Sequence, residues 1–219
     1  MFSCRTISFL LISLCIGACS RPSVHAAFSA QPAVPGINYS LQKFQPRIDR
    51  VLYNTTVDVV GRHLSGILLI KKMPDSSIRL VFTNEMGMSF FDFEYPAGGG
   101  FIVHSIMKKM NKKAVKKTLQ HDFELVLMNR LDEKNALLKY ANGELYHIYP
   151  QGKGFNYYIT DTTNRSLISM QRASQKKVIV NALMRDYQDG IPDTIGISHT
   201  GFEFNIGLKR IQDELNTAP

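Results

Sequence analysis

The sequence predicts a mainly β domain of the α+β class, in which one strongly curved antiparallel sheet of about ten strands carries helices inserted near mid-chain. Apolar and polar residues alternate in residues 50–95 and again in residues 136–211, a period typical of half-buried strands. Between these regions, in residues 105–130, the apolar period lengthens to that of a helix. Short turn motifs separate the alternating runs, so consecutive strands are expected to pair antiparallel.

The first alternating region predicts four strands. They cover residues 51–59, 64–72, 78–82 and 90–95. Pro74-Asp75-Ser76 and Asn84-Glu85-Met86-Gly87 are the predicted turns, because proline, glycine and short polar residues favour turn conformations.

The predicted helical region carries a concentration of lysines. Ile106, Met107 and Met110 fall on one side of a helix, and six lysines fall on the other at spacings of four residues. These lysines are Lys108, Lys109, Lys112, Lys113, Lys116 and Lys117. They form either a solvated helix surface or a face for a partner or for anionic lipid headgroups, where each lysine contributes about 1 kcal/mol.

The second alternating region predicts the remaining strands. They cover residues 136–140, 144–149, 155–160, 166–172, 176–185, 194–199 and 203–211. Asn142-Gly143 is a strong hairpin signal, since both residues tolerate positive φ. Thr200-Gly201 is the predicted turn of the last hairpin.

The N-terminus has the features of a bacterial export signal. Arg5 precedes an apolar run, residues 9–16, that is too short to span a bilayer. The run ends in Ile16-Gly17-Ala18-Cys19, which resembles the lipobox of lipoproteins, where cleavage leaves an acylated Cys19. Val24-His25-Ala26 is an alternative cleavage site that would release a soluble protein.

The lipobox interpretation divides the chain into three parts. Residues 1–18 form the signal peptide, residues 19–40 the acylated cysteine and a flexible tether, and residues 41–219 the folded domain. The other cysteines, Cys4 and Cys15, lie within the signal, so a disulfide framework is not expected.

Charge and motif content restrict the function. The formal net charge of +8 favours anionic lipid or an acidic partner, and export makes nucleic acid the poorest candidate. The six histidines show no metal-ligand spacing, and the HExxH, GxSxG and phosphate-loop motifs are missing from the sequence. We therefore expect a protein without cofactor, metal or enzymatic activity, although a hydrolase built from dispersed residues stays a distant alternative.

The third and fourth predicted strands carry a family resemblance. Residues 79–87, which read RLVFTNEMG, resemble the segment of the LolB family in which a strand ends in Thr-Asn-Pro-Leu-Gly. Ser65-Gly66 and the C-terminal residues 190–211 also resemble the family pattern. Glu85 and Met86 depart from the family's proline and leucine.

The LolB resemblance implies a fold and a function. It implies an unclosed half-barrel with a helical lid and an apolar cavity, which receives lipoprotein acyl chains from a periplasmic LolA-like carrier. The protein would be lipid-anchored at the periplasmic face of the outer membrane and would insert lipoproteins into it. Met86 matches the leucine of the family's membrane-insertion loop, and a plain hairpin turn is the other interpretation.

A non-transferring lipoprotein with the same sheet is the main alternative function, acting as a ligand sensor or scaffold of the envelope. The inward apolar residues form either a close-packed core or an adaptable cavity. Nine methionines, thirteen phenylalanines and no tryptophan are compatible with both. An acyl-sized cavity beside an exposed Met86 would favour transfer, and a filled core would favour the scaffold.

Overall fold

A computed structural model of the chain describes residues 38–129, 131–132 and 134–212. The predicted signal peptide and Cys19 lie outside the described residues. Of the predicted tether, residues 38–40 are described, and the backbone carbonyls of Asn38 and Ser40 accept hydrogen bonds from Asn164 Nδ2 at 2.8 and 3.3 Å. The described chain contains no helix that is both long enough and apolar enough to cross a membrane.

The described chain forms twelve strands and one α-helix. The first five strands are β1 (Arg50–Val59), β2 (Arg62–Lys72), β3 (Ile78–Thr83), β4 (Ser89–Tyr95) and β5 (Ile102–Ile106), followed by α1 (Lys113–Leu127). The others are β6 (Leu137–Ala141), β7 (Glu144–Gln151), β8 (Gly154–Asp161), β9 (Leu167–Ser174), β10 (Val178–Gln188), β11 (Ile191–His199) and β12 (Phe204–Arg210). Two short 3-10 helices cover Gln42–Phe44 and Lys108–Met110.

All twelve strands belong to one antiparallel sheet with the order β5-β4-β3-β2-β1-β12-β11-β10-β9-β8-β7-β6. The first and last strands of the chain pair at its centre, where Val57 lies opposite Ile206. The outermost strands, β5 and β6, do not pair with each other, so the sheet of the described residues is not closed into a barrel. The predicted mainly β fold with an unclosed antiparallel sheet and an inserted helix is confirmed.

The curvature of the sheet follows from its contacts with α1. Tyr95 on β4 and Tyr158 on β8 donate hydrogen bonds from their hydroxyls to α1 carbonyls, at 3.0 and 3.2 Å. Eight strand spacings separate β4 from β8, which is roughly 38 Å in a flat sheet. A helix is only about 10–12 Å wide. The sheet must therefore bend around α1 for both tyrosines to reach it.

Helix α1 connects one edge of the sheet to the other. Most of its inward side chains are apolar, and Leu119, Phe123 and Val126 are buried against the concave face. Each such side chain stabilises the fold by about 1.5–3 kcal/mol when it is fully buried. The helix ends before Met128, whose positive φ of 50° stops the helical hydrogen-bond pattern.

The structure corrects the predicted helical region. Residues 102–106 form β5, so the sheet has one strand more than the eleven ranges predicted, and α1 begins at Lys113 instead of Ser105. Gly99 and Gly100 have φ values of 98° and 103°, which residues other than glycine rarely adopt, and they turn the chain back along β4. Pairing with β4 therefore overrides the helical spacing of residues 105–110.

Candidate functional site

An apolar cavity of about 360 Å³ lies between the first half of α1 and the centre of the sheet. Its apolar lining residues are Val57, Val59, Val60, Leu64, Leu68, Phe82, Phe91, Met107, Met110, Val115, Leu119, Phe123, Phe204 and Ile206. Its polar lining residues are Thr55, Arg62 and Lys109. The volume lies near the lower end of the roughly 300–1,000 Å³ typical of ligand pockets.

The cavity forms where the concave face of the sheet meets the apolar side of α1. Alternate residues of the central strands point to the concave face, whereas α1 presents Val115, Leu119 and Phe123 at spacings of four residues. Met107 and Met110 close one wall, and their unbranched side chains can adjust to an apolar ligand. The predicted apolar cavity under a helix is therefore present in the described structure.

The cavity lies toward the end of the sheet at which β1 turns into β2, called here the upper end. The antiparallel registers place the β3–β4, β5–α1, β7–β8, β9–β10 and β11–β12 connections at the same end. Two of these turns are joined, because Glu203 accepts hydrogen bonds from the backbone N–H groups of Val60 and Gly61 at 3.1 and 3.0 Å. Val60 and Phe202 are 71% and 49% exposed there.

Met86 lies at the tip of the β3–β4 turn at the upper end, and 91% of it is exposed. Asn84 Oδ1 accepts a hydrogen bond from the Met88 backbone N–H at 2.8 Å, and the Asn84 carbonyl accepts one from Gly87 N–H at 3.0 Å. The φ of Gly87 is 80°, a conformation that this short turn requires. The turn therefore holds an apolar side chain in solvent, while its action on a membrane stays a prediction.

The six lysines do not share one helix face, and that part of the prediction is wrong. Lys108 and Lys109 lie in a 3-10 helix, Lys112 caps the N-terminus of α1, and the other three lie within α1. Because β5 uses residues 102–106, the helix starts too late to align all six. The lysines instead surround the N-terminal end of α1, and Lys109 lines the cavity. Their partner stays a prediction.

A buried ionic cluster, which the sequence analysis missed, joins the middle of α1 to the sheet. His199 Nε2 on β11 lies 2.8 Å from Asp122 Oδ2, and Arg172 Nη2 on β9 lies 3.5 Å from Asp122 Oδ1. The Asp122 and His199 side chains are 0% and 1% exposed. Burial lowers the pKa of Arg172, and Asp122 opposes that shift. The only sequence signal was a carboxylate on the apolar side of α1.

The cluster does not resemble a hydrolytic site. Within the part of the chain that is described, no hydroxyl or thiol group bonds to His199, whose ring is covered by Phe202 and Phe204 at centroid distances of 5.0 and 4.9 Å. A nucleophile within hydrogen-bond reach of the base is the requirement for such catalysis. The geometry is that of an ion pair that fixes α1 to the sheet.

Comparisons with known proteins find likeness at the level of three-dimensional structure. Neither a family model nor a curated protein matches the chain significantly. A solved LolA superfamily protein from Nitrosomonas europaea has a TM-score of 0.45 and 6% identity, with 81% of this chain and 90% of that chain covered.

Two further solved structures are similar. A domain provisionally described as an outer membrane lipoprotein-sorting protein, from Vibrio parahaemolyticus, has a TM-score of 0.39 and 8% identity, with coverages of 75% and 84%. A DUF1329 family protein from Desulfovibrio piger has a TM-score of 0.39 and 10% identity, with coverages of 78% and 88%. Likeness at this level carries no inference about function or family.

Proposed function

We propose that this chain is a membrane-anchored lipoprotein that binds acyl chains in its apolar cavity and helps to insert lipoproteins into the outer membrane. The observation that supports the proposal most strongly is the apolar cavity between α1 and the sheet. It lies toward the upper end of the sheet, where Met86 projects into solvent. A binding space and a membrane-seeking side chain therefore occupy one end of the molecule.

The proposed transfer requires no covalent chemistry. An acyl chain that leaves a LolA-like carrier exchanges one apolar environment for another, and each methylene kept from water contributes about 0.8 kcal/mol. The small volume of the cavity suits one chain at a time. The final step into the bilayer is favoured if the protein already touches the membrane, which is the role we propose for Met86.

Anchoring at the periplasmic face of the outer membrane completes the proposal. An acylated Cys19 with two or more chains would hold the protein stably on a bilayer, which a single chain does not. Replacement of Cys19 by alanine should abolish acylation. A Cys19→Ala protein that still carries lipid by mass spectrometry would refute the anchor.

A transfer assay tests the function. The full acylated chain is reconstituted in liposomes and mixed with a LolA-like carrier that holds a fluorescent lipoprotein. We expect label to leave the carrier, pass through this protein and reach the bilayer. A competent carrier that transfers nothing to the correctly folded protein would refute the proposal in favour of the envelope sensor or scaffold.

Met86→Glu separates uptake from release. We expect uptake to be unchanged and delivery to the bilayer to fall severalfold, because a carboxylate at this position resists entry into the membrane. Ile102→Glu is the matched control, since Ile102 is also exposed, at 42%, but begins β5 at the opposite end of the sheet. Equal delivery by the wild type and Met86→Glu would remove the loop from the mechanism.

One observation favours the sensor or scaffold alternative. The concave face beside the cavity is densely filled with aromatic rings, including Phe91 stacked on Phe93 at 4.3 Å and Phe82 against Phe90 at 4.7 Å between centroids. Such packing leaves room for only part of a triacylated lipoprotein anchor in this conformation. A protein that binds labelled acyl chains but never releases them to liposomes would fit this alternative.

A further inference from the structure

A second cavity, called here the basic cleft, lies on the opposite side of α1 and also extends to the upper end of the sheet. It has a volume of about 680 Å³. Lys117 and Glu124 of α1, Lys153 of the β7–β8 turn, and Asn156 and Arg172 of the sheet line it. The apolar cavity and the basic cleft are separated by the helix, because neighbouring residues of its first turn, Val115 and Ala114, line one each.

Positive charge in the basic cleft is not balanced by the residues around it. Glu124 is the single carboxylate among the described lining residues, and it accepts hydrogen bonds from His121 and Gln120, both at 3.0 Å. Lys117 and Lys153 are exposed, and their ammonium groups have no ion pair among the described residues. Lysine side chains that face a concave surface with fewer carboxylates than cations attract anions.

The floor of the cleft adds a guanidinium that lacks a full set of partners. The Arg172 side chain is 16% exposed, and its Nη1 has no hydrogen-bond partner in the described part of the chain. Its only ion pair among the described residues, to Asp122, is long at 3.5 Å, and Asp122 also contacts His199. Arg172 therefore leaves a buried donor without a partner in the floor of the cleft.

Asn156 supplies an acceptor next to these donors. It lies directly opposite Arg172 across the β8–β9 pair, so the two side chains project from the same face of the sheet. Asn156 is 8% exposed, and its Oδ1 has no partner among the described residues. A buried polar atom without a partner is costly unless a ligand or water satisfies it. The floor thus combines cationic donors with one acceptor.

We propose that the basic cleft binds a phosphate ester that carries a hydroxyl group. The phosphate would bind Arg172, Lys117 and Lys153, since guanidinium groups match phosphate oxygens in geometry and charge. The hydroxyl would donate to Asn156 Oδ1. Such an ester exists as a free polyol phosphate and as the phosphoglycerol headgroup of a lipid. The proposal does not depend on acyl binding in the apolar cavity.

Calorimetric titration of the full-length chain in neutral detergent tests the site. The probes are glycerol phosphate, methyl phosphate, glycerol, and a short-chain phosphatidylglycerol below its micellar concentration. We expect one saturable site for glycerol phosphate, several-fold weaker binding of methyl phosphate, and none of glycerol. Tighter binding of the lipid than of glycerol phosphate would identify a headgroup as the source, and the reverse would identify a free phosphate.

Paired variants locate the site. The double variant Lys117→Ala/Lys153→Ala should bind glycerol phosphate at least tenfold more weakly. Circular dichroism should show an unchanged fold, because both lysines are exposed. Lys71→Ala on β2 is the control, as an exposed lysine on the other half of the sheet. Absence of saturable binding by any phosphate probe overturns the proposal. An equal loss in Lys71→Ala overturns it too, because it would show diffuse charge attraction.

Discussion

On one side of α1, Val115, Leu119 and Phe123 face an apolar cavity of about 360 Å³. On the other side, Lys117 and His121 face a basic cleft of about 680 Å³. An amphipathic helix on a flat sheet buries one face and exposes the other to solvent. Here the sheet curves around the helix, so strands β7–β9 also cover its polar face. The comparison shows how one helix can divide the interior of a half-barrel into two chemically distinct spaces.

The separation of the apolar cavity from the basic cleft depends on how firmly α1 is bound to the sheet. Asp122, a carboxylate on the apolar side of the helix, is buried and contacts His199 and Arg172. The apolar side contributes Phe123, whose ring lies 5.9 Å from that of Phe91. A change at Asp122 should therefore affect both spaces, whereas a change at a lining residue should affect one.

The largest effect is expected for Asp122→Ala. It leaves Arg172 and His199 buried without their carboxylate, and loss of one partner of a buried ion pair costs about 3–5 kcal/mol. Urea unfolding followed by circular dichroism measures the change. Asp58→Ala is the matched control, because its pair with His63 is shorter still, at 2.6 Å, but is exposed to solvent. Similar stability losses in the two variants would contradict the anchoring role of Asp122.

The second-largest effect expected is a loss of folding stability in acid. It arises from His147, which lines neither the apolar cavity nor the basic cleft. Burial lowers the pKa of His147 to about 4, with a smaller contribution from Lys43. The unfolded chain binds the proton at higher pH than the folded chain does, so the stabilisation is complete above about pH 6.5 and is lost as the pH falls toward 4. The loss is at most about 3 kcal/mol.

His147→Gln tests this assignment by unfolding at a series of pH values. We expect the free energy of unfolding of the variant to depend much less on pH between pH 6.5 and 4 than that of the wild type. The histidine ring is hydrogen-bonded to Thr160 Oγ1 at 3.2 Å, and glutamine can also make this bond. An unchanged slope would assign the acid sensitivity to other groups and would place it closer to α1.

The third effect separates the two spaces directly. Val115→Trp should fill the apolar cavity and weaken binding of a fluorescent fatty acid at least tenfold, while binding of glycerol phosphate is unchanged. Ala114→Trp, one residue earlier, should do the reverse because Ala114 lines the basic cleft. Fluorescence titration and calorimetry measure the two ligands. Equal losses of both ligands in both variants would show that the spaces are not independent.

The smallest effect concerns the lysines around the N-terminal end of α1. Removal of one of them by Lys112→Ala should weaken binding to phosphatidylglycerol vesicles by about 1 kcal/mol, or roughly fivefold at low salt. Vesicle sedimentation measures the binding, with neutral vesicles as reference. If Lys71→Ala weakens binding as much, the lysines near α1 act only through net charge.

Strand periodicity predicted most of the fold correctly. Eleven of the twelve strands were predicted, and several are separated by turns whose residues are recognisable in the sequence, such as Asn142-Gly143, where φ is positive at both positions. β5, Ile102–Ile106, was missed because Ile106 at its end also fits the helical spacing of Met107 and Met110. Only the pairing with β4 decides between the two, and pairing is a tertiary interaction.

The sequence predicted the exposed turn at Met86, but it did not predict the Asp122 cluster or the basic cleft. The exposed turn at Met86 follows from local signals, since Asn84 and Gly87 favour a turn wherever they occur between strands. The Asp122 cluster has no local signal, because its histidine partner is 77 positions away in sequence. The basic cleft likewise joins α1 to the β7–β8 turn and to β9.

The sequence by itself determined every strand except β5, the presence of the helix, the apolar faces and the exposed Met86 turn, since these depend on periodicity and on turn chemistry within a few residues. The tertiary structure alone decided how the sheet closes upon α1, which inward residues leave a cavity, and which charges meet beneath the helix. These depend on contacts between distant segments, such as the pairing of β1 with β12 at the centre of the sheet. The strand and turn preferences of neighbouring residues do not depend on such contacts. Cavities and buried ion pairs are formed by them.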